Sequence, residues 1–372
     1  MPAATCATRA GIALSLVPGI GRVRFRELVD EAGDAEAAFT RTVADPRRSA
    51  LLRAADDLLV RTRQCGAAIA VYGLGAGALG SSDNATAKAG DPPSSEPAAA
   101  PYPAKLRDLP DPPPVLFLHG HHEWLETGRV VGIVGTRAAT AYGERVTREI
   151  AAQLARAGAL VLSGMARGID GAAHRGALGA GGRSGAVLGT GIDIAYPAAH
   201  RPLHAELASH GVLVAEQPPG EKATGGSFPE RNRIIAALSD LVIVIEAGRK
   251  SGALITAVRA LELGRIVAAV PGQIDSPQSA GSNELLRDGA QLIASPEDAL
   301  ALVGLTAAPR APSVEVVGAE RVVWDALGKG ALDLDMLASC TSLPARDVMA
   351  AVTRLEMSGA VECALTGEVR RR

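Results

Sequence analysis

The chain has 372 residues, of which 47% are hydrophobic and 21% charged, and a formal net charge of -2. This length supports two or three domains with a sizeable core, and the near-neutral balance excludes a protein that coats duplex DNA by bulk positive charge while leaving room for a local basic patch. The four cysteines, Cys6, Cys65, Cys340 and Cys363, stand far apart with no C-x-x-C pair, so neither a disulfide framework nor a zinc site is expected.

The N-terminus MPAATCATRAG lacks a basic segment followed by an apolar one, and no apolar run reaches the roughly 18 residues a membrane span needs. A cytoplasmic protein without membrane insertion is expected. Residues 1–80 read as a helical module. Within it, LVPGIGRVRFRELVDEAG (16–33) has the shape of a helix-hairpin-helix, whose turn amides at Gly19 and Gly21 suit a DNA phosphate. The alternative is a small helical packing domain that touches no DNA. GAGALG (75–80) fits the dinucleotide fingerprint letter for letter but runs into SSDNATAKAG instead of a helix, so no amide-lined N-terminus follows to hold a pyrophosphate.

Residues 81–104, rich in Pro, Ser and Ala, read as a flexible linker. From 105 to 305, short Val/Ile/Leu/Ala runs at 130–135, 159–164, 184–190, 211–216, 240–247, 265–272 and 290–295 alternate with helical patterns. That alternation predicts an α/β domain with a mostly parallel, doubly wound sheet covered on both faces. A second break at 306–318 leads to residues 319–372, read as three helices and two short strands forming a winged helix. Its second helix balances Arg346 and Arg354 with Asp347 and Glu356, which weakens the case for duplex binding and leaves a protein-interaction or regulatory role open. The terminal Arg370, Arg371 and Arg372 offer further phosphate contacts.

Ligands of such sheets bind outside the carboxyl ends of the strands. The loops there carry Arg137 in GTR, Arg167 in SGMARGID, Arg201, Lys222 ahead of FPERNR, and Arg249 with Lys250 in GRKSGALIT. Their glycines allow close approach of backbone N–H groups to an oxyanion, while Thr136, Ser163, Ser251 and Thr256 add hydroxyls. Five cationic loops suit a polyanion better than a mononucleotide. Tyr142, Tyr196 and Phe228 lie in or beside these loops. Phe228 reads either as a platform for an unpaired base or as a plug for the helix behind it.

GIVGTRAATAYG, LVLSGMARGIDGAAHRGAL, AVLGTGIDIAYP, FPERNRIIAALSDLVIVIEA, SGALITAVRALELGR and VPGQIDSPQSAGSNELLRDGA, in this order, resemble the signature blocks of the DNA-processing protein A (Smf) family. The resemblance implies an extended Rossmann-like domain that binds single-stranded DNA and assists loading of the recombinase RecA in DNA uptake, natural transformation and recombination. It also implies a homodimer and no catalysed reaction or cofactor. Gly135, Thr136 and Arg137 match the GTR block, with Arg137 as central phosphate ligand. Ser163, Gly164, Arg167 and Gly168 fall in the S-G-x-A-x-G-I-D loop; Arg231, Asn232 and Arg233 match its R-N-R; Ser251, Gly252 and Thr256 fall in S-G-x-L-I-T. Members often place a Lys just ahead of the Phe; here Lys222 stands in from further upstream. At the N-terminal end the family has a SAM-like helical domain, which favours the packing reading of residues 16–33.

Simpler readings stand beside these. Arg231 or Arg233 could pair a carboxylate such as Glu246, and Asn232 could cap its own helix. Asp170 and His174, four apart, lack a third metal ligand, so a hydrogen-bonded His174 is the better reading. His119, His121 and His122 read as a solvated turn. The competing function is a nucleotide-binding Rossmann-like enzyme such as a nucleoside monophosphate phosphoribohydrolase, but the P-G-G-x-G-T loop of those enzymes is missing.

Overall fold

The computed structural model describes residues 3–74, 99–306 and 318–371, apart from positions 331, 359, 365 and 366. The GAGALG stretch, most of both linkers, and Arg372 therefore lie outside the described residues. Residues 1–307 and 308–372 form two compact units.

The first unit opens with four helices, α1 (Ala3–Ser15), α2 (Arg22–Ala32), α3 (Ala35–Thr42) and α4 (Asp45–Gln64). Strands β1 (Ala68–Val71), β2 (Val115–Gly120) and β3 (Val130–Val134) follow, then α5 (Ala141–Arg156), β4 (Leu160–Ser163), α6 (Ile169–Gly179) and β5 (Ser184–Leu188). Next come α7 (Arg201–His210), β6 (Val212–Ala215), α8 (Ser227–Leu238), β7 (Leu241–Val244) and α9 (Gly252–Glu262). β8 (Ile266–Ala269), α10 (Ala280–Arg287), β9 (Gln291–Leu292) and α11 (Pro296–Leu302) complete it.

The nine strands form one sheet in the order β1-β2-β6-β5-β4-β3-β7-β8-β9. From β6 to β9 all pairs are parallel, as the alternation of apolar runs and helices predicts. Two strands not expected from the sequence extend it: β2 pairs antiparallel with β6, and β1 with β2, so the end of the helical stretch belongs to the sheet. Alternation along β3 places Val130 and Val134 in the core under α8, α9 and the N-terminal helices, and Val131 and Ile133 in the core under α5, α6 and α11. A strand buried on both faces needs such an unbroken apolar run.

The second unit contains α12 (Ala319–Ala326), β10 (Leu332–Asp333), α13 (Leu334–Thr341), α14 (Ala345–Met357), β11 (Val361–Cys363) and β12 (Glu368–Arg371). Its sheet order is β10-β12-β11, and its core gathers Val323, Trp324, Leu337, Val348, Val352 and Leu355. This is the winged helix that the sequence predicts.

Candidate nucleic-acid interface

The sheet order reverses between β3 and β7, because the chain winds outward from β3 through β6 and then returns to β3's other side. At such a switch point the loops leave in opposite directions and open a crevice above the strand ends. A cavity of about 460 Å³ lies there, lined among others by Arg137, Phe228, Asn232, Lys250, Gly252 and Thr256. The Thr136 N–H donates to the Glu246 carbonyl at 2.7 Å, which ties the loop after β3 to the loop after β7.

Three of the glycines named from the sequence are required by the protein's own packing, whatever they offer a ligand. A Cβ on Gly135 would lie 2.5 Å from Ile169 Cγ1, one on Gly164 2.4 Å from the Arg231 guanidinium, and one on Gly168 2.4 Å from the Thr136 carbonyl. Gly252 is different: nothing lies within 4 Å of its Cβ direction, at the first turn of α9. There Ser251 caps the helix, its Oγ accepting from the Ala253 N–H at 3.3 Å. Thr256, one turn on, is fully buried against the cavity, and its hydroxyl has no hydrogen-bond partner among the described residues. Thr136 also lines the cavity, and its Oγ1 accepts from the Ala138 N–H at 3.2 Å. The Ser163 hydroxyl does not reach it, because it is buried and donates to the Ile133 carbonyl at 2.6 Å.

The R-N-R segment divides three ways. Arg231 is buried beneath the cavity, where Nη1 donates to the Gly164 carbonyl at 2.6 Å and to the Val187 carbonyl. Burial pulls its pKa down to about 10, against the upward pull of Asp170. Asp170, equally buried, is pushed up by desolvation and held back chiefly by Arg231. Asn232 sits at the cavity wall, with Oδ1 accepting from Arg231 Nε at 3.2 Å and Nδ2 donating to the Gly252 carbonyl at 3.2 Å, so it clamps α8 to α9. Arg233 points away and pairs with Glu216 at 2.7 Å and Asp111 at 3.3 Å. Neither arginine meets Glu246, whose carboxylate accepts from the Thr140 N–H and hydroxyl at the start of α5.

The rim is cationic. Arg137, Arg167, Arg249 and Lys250 are all exposed, and none forms an ion pair among the described residues. Lys222 is exposed in the loop after β6 and does not line the cavity. The Arg137 guanidinium carbon lies 5.2 Å from the Phe228 ring centroid, and the Tyr196 ring centroid also lies 5.2 Å from that of Phe228. Phe228 is half-buried: it packs over Gly189, where a Cβ would approach it to 3.0 Å, yet it also lines the cavity. Plug and platform are thus compatible roles for one ring. Guanidinium, ammonium, hydroxyl and amide donors around an aromatic face suit an anion that carries a flat group.

Other candidates are engaged elsewhere. His174 is buried with Nδ1 3.0 Å from the Ser184 hydroxyl, burial holds its pKa at about 3, and no metal-binding group occurs among the described residues. His121 stacks on Trp124 at 4.4 Å and pairs with Glu123. In the helix-hairpin-helix segment Arg22 pairs with Glu216 and Glu230, Arg24 with Glu27, and Arg26 with Asp30, which fits a packing role. In the winged helix Arg354 pairs with Glu320, Arg346 with Asp347 and Arg370 with Glu362, while Arg371 lies 4.3 Å over the Trp324 ring. No helix among the described residues is long and apolar enough to cross a membrane.

Comparison with known proteins places these features in a family context. The family model described as DNA recombination-mediator protein A matches residues 96–304, and that of the DprA winged helix domain matches residues 307–364. The chain is 46% identical over 243 residues to a putative DNA processing protein DprA of Mycobacterium tuberculosis, a match covering 63% of this chain and 62% of that protein. Among solved structures, DNA processing protein A of Streptococcus pneumoniae aligns with a TM-score of 0.56 at 29% identity, covering 80% of this chain and 95% of that one. That of Helicobacter pylori, described for its unique single-stranded DNA binding mode, aligns at 0.50 with 34% identity, over 53% of this chain and 90% of that one.

Proposed function

The chain belongs to the DNA recombination-mediator protein A family, and on that premise we propose that it binds single-stranded DNA across the β3/β7 crevice and mediates recombination. The observation that carries the reading is the rim itself. Arg137, Arg167, Arg249 and Lys250 have no ion-pair partner among the described residues, and the first two flank Phe228 and Tyr196. Unpaired cations around a stacking face favour a strand whose backbone can be tracked and whose bases are free. In this reading Arg137, Arg167, Arg249 and Lys250 take phosphates, helped by the open first turn of α9 and the Thr256 hydroxyl. Asn232, Arg231 and the glycines of the GTR and SGMARGID loops hold the crevice in shape, and Lys222 reaches the strand from the neighbouring loop. The proposed partners are single-stranded DNA, the recombinase RecA and a second copy of the chain, in the cytoplasm. No catalysed step and no cofactor are proposed.

Fluorescence anisotropy of a labelled oligonucleotide, single against double stranded, over a salt series tests this directly. Tight, weakly sequence-dependent binding to the single strand is expected; equal affinity for the duplex, or none for either at low salt, would refute it. Incubation with AMP, followed for ribose release, tests the non-catalytic half of the reading.

A further inference from the structure

Beside the main cavity lies a second one of about 330 Å³, lined by Arg137, Gly164, Arg167, Tyr196, Pro197 and Phe228, with Ala138 and Ala166 completing the wall. The two cavities share Arg137, Ala166 and Phe228, and the two large side chains, Arg137 and Phe228, form a partition between them. Tyr196 commits part of its ring to Phe228, with the planes tilted by 36°, and yet stays 48% exposed. Its hydroxyl makes no hydrogen bond among the described residues.

The segment that carries Ala166 and Arg167 is tied down by hydrogen bonds. Met165 is fully buried with φ +61°, a conformation costly for a side chain of its size. His200, itself buried, donates from Nδ1 to the Met165 carbonyl at 2.9 Å, and Arg175 donates to His200 Nε2 at 3.4 Å. This relay fixes the backbone that presents Ala166 and Arg167 to the second cavity.

We propose that this second cavity is a nucleobase subsite with Tyr196 as its stacking platform. It would take the base of the nucleotide next to the one whose phosphate meets Arg137 in the main cavity. The inference rests on the single-strand reading above and deepens it. An exposed aromatic ring in a cavity also lined by two arginines that form no ion pair among the described residues fits a flat π-system with phosphates beside it, and a space of this size sits at the small end of ligand pockets. An aliphatic or purely anionic ligand would leave the Tyr196 ring without use. The path over the partition places successive bases on either side of Phe228.

The test uses the full chain, anisotropy with a labelled single strand, and fluorescence of 2-aminopurine placed along the oligonucleotide. Tyr196→Ala and Tyr196→Leu should each weaken binding about tenfold or more, while Tyr196→Phe stays near wild type, because loss of one stacked base is the affected contact. The slope of affinity against salt should stay unchanged in all three, since no phosphate contact is lost. In wild type one 2-aminopurine position should be quenched that is not quenched in Tyr196→Leu. If Tyr196→Leu binds within twofold of wild type, or if its salt slope falls, the subsite is refuted while the single-strand reading stands. If wild type itself ignores single strands at low salt, both are refuted.

Discussion

Arg137 and Arg231 have the same chemistry and opposite duties. Arg137 is exposed and forms no ion pair among the described residues, so Arg137→Ala should leave the melting temperature unchanged and flatten the log-log salt slope of single-strand binding by about 0.7, one lost phosphate contact. Arg231 is buried over Asp170. Its loss strands a carboxylate in the interior, so Arg231→Ala should cost about 3 kcal/mol of stability in urea titration. His174 supplies a pH test. Burial holds its pKa near 3, against 6.5 for the free group, so the unfolded chain takes up a proton that the folded chain refuses. Stability is therefore complete above the unfolded value and falls as the pH drops through it. Between pH 7 and pH 5 the loss should be about 2 kcal/mol, and His174→Gln should be flatter by that amount over the same interval. Sequence reasoning placed the arginines at the strand ends but could not separate their roles. Successive residues of a helix turn by about 100°, so Arg231, Asn232 and Arg233 look in three directions, and which one faces the crevice depends on how α8 is rotated against the sheet.

At the scale of elements, α8 is held from both sides. Asn232 ties it to α9, while Arg233 joins Glu216 at the end of β6, which also receives Arg22 from α2. Glu216 is nearly buried between two guanidinium groups, and neutralising it leaves Arg233 inside without its main counter-charge. Glu216→Gln should therefore destabilise the chain by about 3 kcal/mol, and Arg22→Gln, at a half-exposed position, by nearer 1, both measured by chemical denaturation. The parallel strands were legible because each is an unbroken apolar run between helical patterns. β1 and β2 were not: their pairing is antiparallel and joins segments separated by more than forty residues, a closure that no local period records. The crevice was legible from the strand-end rule, since the loops that carry Arg137 and Lys250 follow β3 and β7, the strands between which the order reverses.

For the molecule as a whole, affinity has to come from a small part of the surface. With four rim cations as phosphate contacts, the salt slope for single strands should be about -2.8, so raising salt from about 50 to 200 mM should weaken binding on the order of 50-fold. A near-zero slope in the same titration would mean that the rim does not carry the interaction. The winged-helix unit, whose described basic groups are paired internally, should add little to that slope. Subtracting the four rim charges from the formal net charge of -2 leaves -6 for the rest of the sequence. A polyanion drifting near therefore meets a cationic rim on a chain whose remaining charge is net negative, an asymmetry that favours approach to the rim. Ionic strength should accordingly slow capture as well as loosen the complex, a kinetic signature readable by stopped-flow.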